Sequence, residues 1–214
     1  MTQVAKLTFN PFQENMYIVY DDTRECIIFD PGCYEAHERQ DLADFIENNG
    51  LKPVRLINTH CHLDHIFGNK FVAETYNLPL EIHEGEVIVL QSAPQVCMQY
   101  GIPYPQPSPM ASKFIAAGDV IEFGNTRLEA RFTPGHSPAS LSFYCAAGKF
   151  VIAGDVLFQG SIGRTDLPGG NFETLAMSIT NEFYTLPDDT VVHPGHGAAT
   201  TVGVEKASNP FVRG

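Results

Sequence analysis

The segment Thr59–His65 reads T-H-C-H-L-D-H and places His60, His62, Asp64 and His65 within six positions. Neutral imidazole nitrogen and ionised carboxylate oxygen are the donors that borderline divalent ions such as zinc accept. A His-rich surface loop is the competing reading, but compositional enrichment alone does not produce an ordered alternation of ligands. His60 and His62 stand two apart, so in an extended chain they point to one side and can share an ion. Asp64 and His65 follow one turn later, where the chain enters a helix with Asp64 as its expected N-cap. They face a different direction and can serve a second ion. Four donors are too few to close two sites, so further ligands must come from elsewhere in the chain.

Three later positions have suitable chemistry: His136 in T-P-G-H-S, Asp155 in V-I-A-G-D-V and His196 in H-P-G-H-G. Each follows a short apolar, β-prone run and is preceded directly by Gly, which lets the backbone turn sharply at a strand end. The count then works out as two sites of similar composition. His60, His62 and His136 make the first, Asp64, His65 and His196 the second, and Asp155 bridges them.

These positions need elements that deliver them. The runs Lys6–Phe9, Met16–Tyr20 and Cys26–Phe29 read as strands, followed by an amphipathic helix over Ala36–Asn49 with Leu42, Phe45 and Ile46 on one face and Gly50 as its stop. A strand then carries the chain into the histidine motif. The second half repeats the theme with strands at Asp119–Phe123, Arg127–Phe132, Leu141–Tyr144 and Phe150–Ala153. A helix at Phe172–Thr185 capped by Asn171 follows, then a last strand at Val191–Val192. Such runs of strands with isolated helices suit a four-layered αββα sandwich of two similar halves. Between Ser92 and Lys113 lie five of the fifteen prolines, which predicts irregular structure throughout. That stretch is either a stiff loop walling the active-site cleft, with Tyr100 and Tyr104 touching substrate, or a surface connection between the halves.

Several classes are disfavoured by composition. With 214 residues, 43% of them hydrophobic, the chain fits one domain spanning residues 1–214, and no apolar stretch reaches the length of a membrane span. A formal charge of -12 argues against nucleic-acid and anionic-membrane partners, which are bound through clustered Lys and Arg. The N-terminus lacks the pattern of a secretory signal, so a cytoplasmic location is expected. The five scattered cysteines read as reduced thiols, and Cys61, between two candidate ligands, should point away from them. Asp30, ending an apolar strand before Pro31-Gly32, is placed to orient a ligand through a hydrogen bond. Arg164 and Asp166 read as an ion pair within a Gly-rich loop. His37, His83 and His193 need no special role.

Taken together, F-D-P-G at Phe29–Gly32, the T-H-C-H-L-D-H string, T-P-G-H-S-P, A-G-D-V-L-F, G-S-I-G-R-T-D and the closing H-P-G-H-G resemble the metallo-β-lactamase superfamily over nearly the whole chain. Within it the chain is similar to hydroxyacylglutathione hydrolases (glyoxalase II) and their shorter relatives. The resemblance implies the metallo-β-lactamase sandwich fold and the same ligand roles. It also implies two divalent ions, zinc foremost with iron or manganese as alternatives, and a small-molecule thioester substrate. Glyoxalase II enzymes carry a helical C-terminal extension that holds glutathione, whereas this sequence stops at Gly214, so a smaller or different thiol ester is an open alternative.

The expected mechanism follows from the ions. Bound water is acidified from a pKa near 15.7 to about 7, so a metal-bound hydroxide is available at neutral pH. Asp155 holds it between the metals, and Asp64 and Asp155 are the expected catalytic carboxylates. A departing thiolate needs little acid assistance. The rival is a mononuclear iron persulfide dioxygenase, a family that looks similar and would use His60, His136 and Asp155; the ending P-G-H-G leans away from it. A β-lactamase activity is disfavoured without a secretion signal. A purely structural metal site is disfavoured by the carboxylates in the ligand set. Acyl group, thiol carrier and oligomeric state are not legible.

Overall fold

Cys26–Phe29 and Leu56–Ile57 are continuous apolar runs, the pattern of strands buried on both faces, and they form the centre of the first of two sheets. The computed structural model describes residues 1–214. It divides into two units, Met1–Ile115 with Glu122–Thr126, and Ala116–Ile121 with Arg127–Gly214. No helix is long and apolar enough to cross a membrane.

In the first unit, β1 (Gln3–Phe9), β2 (Glu14–Tyr20) and β3 (Glu25–Phe29) form an antiparallel meander. Helix α1 (Ala36–Asn48) crosses over to β4 (Lys52–Ile57), which pairs parallel to β3. After α2 (Leu63–Ile66) and α3 (Asn69–Tyr76), strand β5 (Leu80–Ile82) adds in parallel. Helix α4 (Val87–Tyr100) then leads to β6 (Lys113–Phe114) at the edge. Helix α1 starts at a capping box between Glu35 and Glu38, and its Leu42 and Ile46 enter the core beside Ile28 and Leu56. Because β3 and β4 run parallel as neighbours, Asp30 and the histidine motif leave the sheet at the same edge.

In the second sheet the strand order is β14-β13-β10-β9-β8-β7. Strands β7 (Val120–Phe123), β8 (Thr126–Phe132), β9 (Leu141–Cys145) and β10 (Phe150–Gly154) are followed by the small hairpin β11 (Leu157–Phe158) and β12 (Ser161–Ile162). Helix α5 (Phe172–Ser178), β13 (Val191–Pro194), β14 (Thr200–Thr201) and α6 (Val202–Ser208) then follow. Strand β8 is antiparallel to β9, β9 is antiparallel to β10, and β13 is parallel to β10. Strands β8, β10 and β13 therefore point the same way, and their C-terminal ends share one edge. Both units thus use a meander followed by a helical crossover to a parallel strand, as the two-halves expectation requires.

Two sequence expectations are corrected. The stretch from Ser92 is not irregular throughout: α4 continues through Pro94 to Tyr100 and stops at Gly101, whose φ of 66° forms a left-handed cap. Pro94 forfeits one helical hydrogen bond, but Leu90, Ala93 and Cys97 bury one face of the helix and offset that loss. Only the segment after Gly101 is irregular. Asp64 is not an N-cap either; His62 is, with Leu63 as the first helical residue. The helix begins earlier because Leu63 and Ile66, three apart, are both drawn into apolar clusters. The long helix expected over Phe172–Thr185 is α5 continued by a π-helical turn at Ile179–Phe183, and Asn171 caps it by accepting from Thr174 N at 2.8 Å.

Candidate metal centre

The histidine motif sits at the end of β4, and its side chains are organised by Asp30. Asp30 is buried, with φ at 48°, a left-handed conformation that Asp tolerates better than most residues. One carboxylate oxygen accepts from Thr59 N at 2.7 Å and Asn58 Nδ2 at 3.2 Å. The other accepts from Thr59 Oγ1 at 2.6 Å and lies 3.3 Å from His65 Nδ1. The Thr59 hydroxyl spends its hydrogen on Asp30, so at 3.1 Å it accepts from His60 Nδ1. His60 is thereby held as the tautomer that presents Nε2. Asp30 orients His60 through the Thr59 hydroxyl and closely approaches His65 Nδ1, the kind of outer carboxylate contact found behind metal-binding histidines.

His60 and His65 are fully buried and His62 is half-buried. The His60 ring lies 4.8 Å from that of His62, edge to face, and 4.1 Å from that of His65. His65 therefore packs against His60, because a four-residue helix is too short to carry it far away. Asp64 Oδ2 lies 3.8 Å from His65 Nε2. Donor atoms of Asp30, His60 and His65 all fall within 4.8 Å of one another.

In the second unit His136, Asp155 and His196 follow β8, β10 and β13, at the edge those strands share. Gly195 N donates to Gly154 O at 2.9 Å, which sets the residues after β10 and β13 side by side. One oxygen of Asp155, Oδ2, lies 3.6 Å from His136 Nε2 and 3.4 Å from His196 Nε2. His136 Nδ1 is 2.8 Å from the carbonyl oxygen of Arg164. A carbonyl can only accept, so the hydrogen is on Nδ1 and Nε2 offers its lone pair beside Asp155.

These donor sets fit divalent ions. Bonds of about 2.1 Å at tetrahedral angles put neighbouring donors about 3.4 Å apart, close to the spacings around Asp155. All the donors are imidazole nitrogen or carboxylate oxygen, compatible with zinc, iron or manganese. Cys61 Sγ is not among the grouped donors; burial, then the nearby Glu86 and Asp30 carboxylates, push its thiol well above the usual thiol range.

Three supporting residues escaped the sequence reading. Buried Glu86, just before α4, accepts from Cys61 N at 2.9 Å and so pins the backbone between His60 and His62. Gly163 has no room for a side chain, since an added Cβ would lie 2.0 Å from Asp155 O and 3.1 Å from His136 Cβ. Buried Glu14 is the third, its Oε1 3.7 Å from His65 Nδ1. Glu14 and Glu86 carry no local sequence signal, because each acts across the fold; Gly163 lies in the G-S-I-G-R-T-D string, but the neighbours that demand a glycine there come from elsewhere in the chain.

The other expectations find their places. Arg164 and Asp166 form a bidentate ion pair, both bonds 2.7 Å, and the hydrogen bond from Arg164 draws the Asp166 carboxyl down to about 2. Tyr104 accepts from Ser108 N at 2.8 Å through its hydroxyl and packs beside Phe67, so it braces the proline-rich segment internally. Tyr100 is exposed at the end of α4. His83 caps a short turn by accepting from Gly85 N, and none of the five cysteines is joined in a disulfide.

Comparison with known proteins places the chain. Residues 9–196 match the family model described as the metallo-beta-lactamase superfamily. A probable metallo-hydrolase of Bacillus subtilis, YqgX, is 41% identical over 98% of this chain and 97% of its own length. The hydroxyacylglutathione hydrolase GloC of Haemophilus influenzae is 34% identical over 94% of this chain and 93% of its own. Among solved structures, the B3 metallo-beta-lactamase BLEG-1 superposes with a TM-score of 0.89 at 34% identity, covering 99% of this chain and 100% of that one. TTHA1623, solved in a di-iron-bound form, gives 0.87 at 34% identity over 97% and 100%. The protein has the metallo-β-lactamase fold and belongs to the metallo-β-lactamase superfamily as a metallo-hydrolase.

Proposed function

We propose that this metallo-hydrolase cleaves thioesters, with small acyl-thiols of the hydroxyacylglutathione type as the substrate class. The observation that carries the two-ion reading is Asp155, one of whose oxygens lies near both His136 Nε2 and His196 Nε2. A bridging ligand needs that arrangement. His60, His62 and His136 would hold one ion, Asp64, His65 and His196 the other, and Asp155 both. Divalent ions so held acidify water and polarise a carbonyl oxygen. Zinc is the ion proposed, and the di-iron form of TTHA1623 makes iron the alternative to test.

The chain's own groups have defined tasks. Asp64 and Asp155 are carboxylates close to the site's imidazoles, placed to accept the proton of an attacking water. His60 and His136 keep their Nδ1 hydrogens on Thr59 and Arg164 O, so their Nε2 atoms stay available. A thiol leaving group, with a pKa of about 8.5, departs as the anion without a dedicated acid. The name of the Haemophilus relative supports the thioester class.

The test is hydrolysis of S-lactoylglutathione by protein reloaded separately with zinc and with iron, with oxygen uptake on glutathione persulfide and hydrolysis of a β-lactam run in parallel. Metal-dependent thioester cleavage is expected, and Asp155→Ala should lose turnover together with metal. Oxygen uptake with iron alone would move the assignment to the persulfide dioxygenase, and β-lactam cleavage without thioesterase activity to the lactamases.

A further inference from the structure

Glu14 opens β2 opposite Phe9 and is fully buried, a costly place for a carboxylate. Its Oε1 lies 3.7 Å from His65 Nδ1, on the nitrogen that Asp30 also approaches at 3.3 Å. Asp30 is already occupied, accepting from Thr59 N, Thr59 Oγ1 and Asn58 Nδ2. Two carboxylates therefore converge on one imidazole nitrogen, while the other nitrogen, Nε2, faces Asp64.

The surroundings are shaped around Glu14. A Cβ at Gly32 would lie 2.1 Å from Glu14 Oε2, so the bare glycine makes the space that the carboxylate fills. Asn10, in the turn between β1 and β2 with φ at 55°, donates through Nδ2 to Gly32 O at 2.9 Å and to Asp64 O at 3.0 Å. The turn that leads into Glu14 thus also ties down the backbone of the residue before His65.

We infer that Glu14 is a positioning residue for His65: with Asp30 it keeps the ring hydrogen on Nδ1 and holds Nε2 as the donor to the second ion. The inference rests on the proposed role of His65 as a ligand. Carboxylate partners of this kind raise the basicity of a ligating imidazole, and their loss weakens metal binding by about 10–100-fold.

The experiment uses full-length protein stripped of metal, titrated with cobalt(II) and read by visible absorption and by equilibrium dialysis, alongside the melting temperature of the metal-free form. His65→Ala should lose one of two cobalt equivalents. Glu14→Leu should weaken the same equivalent by about 10–100-fold and change its absorption band, and Glu14→Gln, which keeps an acceptor oxygen at the same reach, should recover most of the loss. Wild-type cobalt binding and spectrum in Glu14→Leu, with an equivalent lost in His65→Ala, would overturn this inference alone. Full cobalt binding with an unchanged spectrum in His65→Ala would overturn the ligand reading and this inference with it. If Glu14→Leu does not fold, long-range proton–nitrogen NMR of the wild-type imidazoles decides: a His65 hydrogen on Nδ1 supports the inference, one on Nε2 overturns it.

Discussion

The side chain of Glu86 accepts a hydrogen bond from the backbone N–H of Cys61 at 2.9 Å, joining the start of α4 to the peptide that separates His60 from His62. Both residues are buried. A glutamate from outside the histidine motif therefore holds the peptide that spaces two candidate ligands.

Glu86→Ala leaves that amide without its acceptor and should cost about 1–3 kcal/mol of stability. Urea denaturation of the metal-free protein measures this. The same variant should hold metal about tenfold less tightly or worse, as removal of an outer hydrogen bond does at other metal sites. Unchanged metal affinity would show that the loop keeps its shape unaided.

Gly163→Ala tests the crowding behind Asp155 and His136. The new methyl would fall on backbone oxygen, which cannot swing aside as a flexible side chain can, so β12 or the turn at Asp155 must shift. We expect turnover to drop by about 100-fold, since displacements near 1 Å cost that much, with a smaller change in melting temperature. Near-normal kinetics would place the glycine outside the site's support.

Asp21 governs acid stability in the first unit. Burial alone would raise its carboxyl, but hydrogen bonds from Thr23 Oγ1, Thr23 N, Asn125 N and Thr126 Oγ1 outweigh burial and hold it below its usual value of 3.8. Folding therefore favours the ionised form. The resulting stabilisation is fully present above about pH 4, the unfolded value, and is lost as pH falls through the lower folded value. Asp21→Ala should cost about 2–3 kcal/mol at neutral pH and flatten the stability curve below about pH 4. Equal acid sensitivity in variant and wild type would refute this.

The thiols should be inert in the native protein. Burial drives Cys26 and Cys33 up to about 12 and raises Cys61 and Cys97, so almost no thiolate exists at pH 8. A chromogenic disulfide reagent should detect less than one thiol per native chain and all five after denaturation. Rapid native reaction of two or more thiols would contradict the burial.

The sequence by itself determined the chemistry of the candidate donors and the strands that carry them. Imidazole and carboxylate are properties of residue type, and the apolar runs before His60, His136, Asp155 and His196 are local signals of strands whose ends lie at those positions. The meanders, the crossover helix α1 and the Asn171 cap were legible for the same reason, being set by periodicity and by residues close in the chain. Local pattern misjudged Pro94 and Asp64, because burial of Leu90, Ala93 and Cys97 in one case, and of Leu63 and Ile66 in the other, moved a helix boundary against local preference. Asp30 was legible as a supporting carboxylate at a strand end, but only the tertiary structure decided which donors it supports and which other groups join it. Asp30 meets His65 from 35 positions away, Glu86 meets Cys61 from 25, and Arg164 O meets His136 from 28. Hydrogen-bond partners at such separations are chosen by strand order and direction, and no residue's immediate neighbours record them.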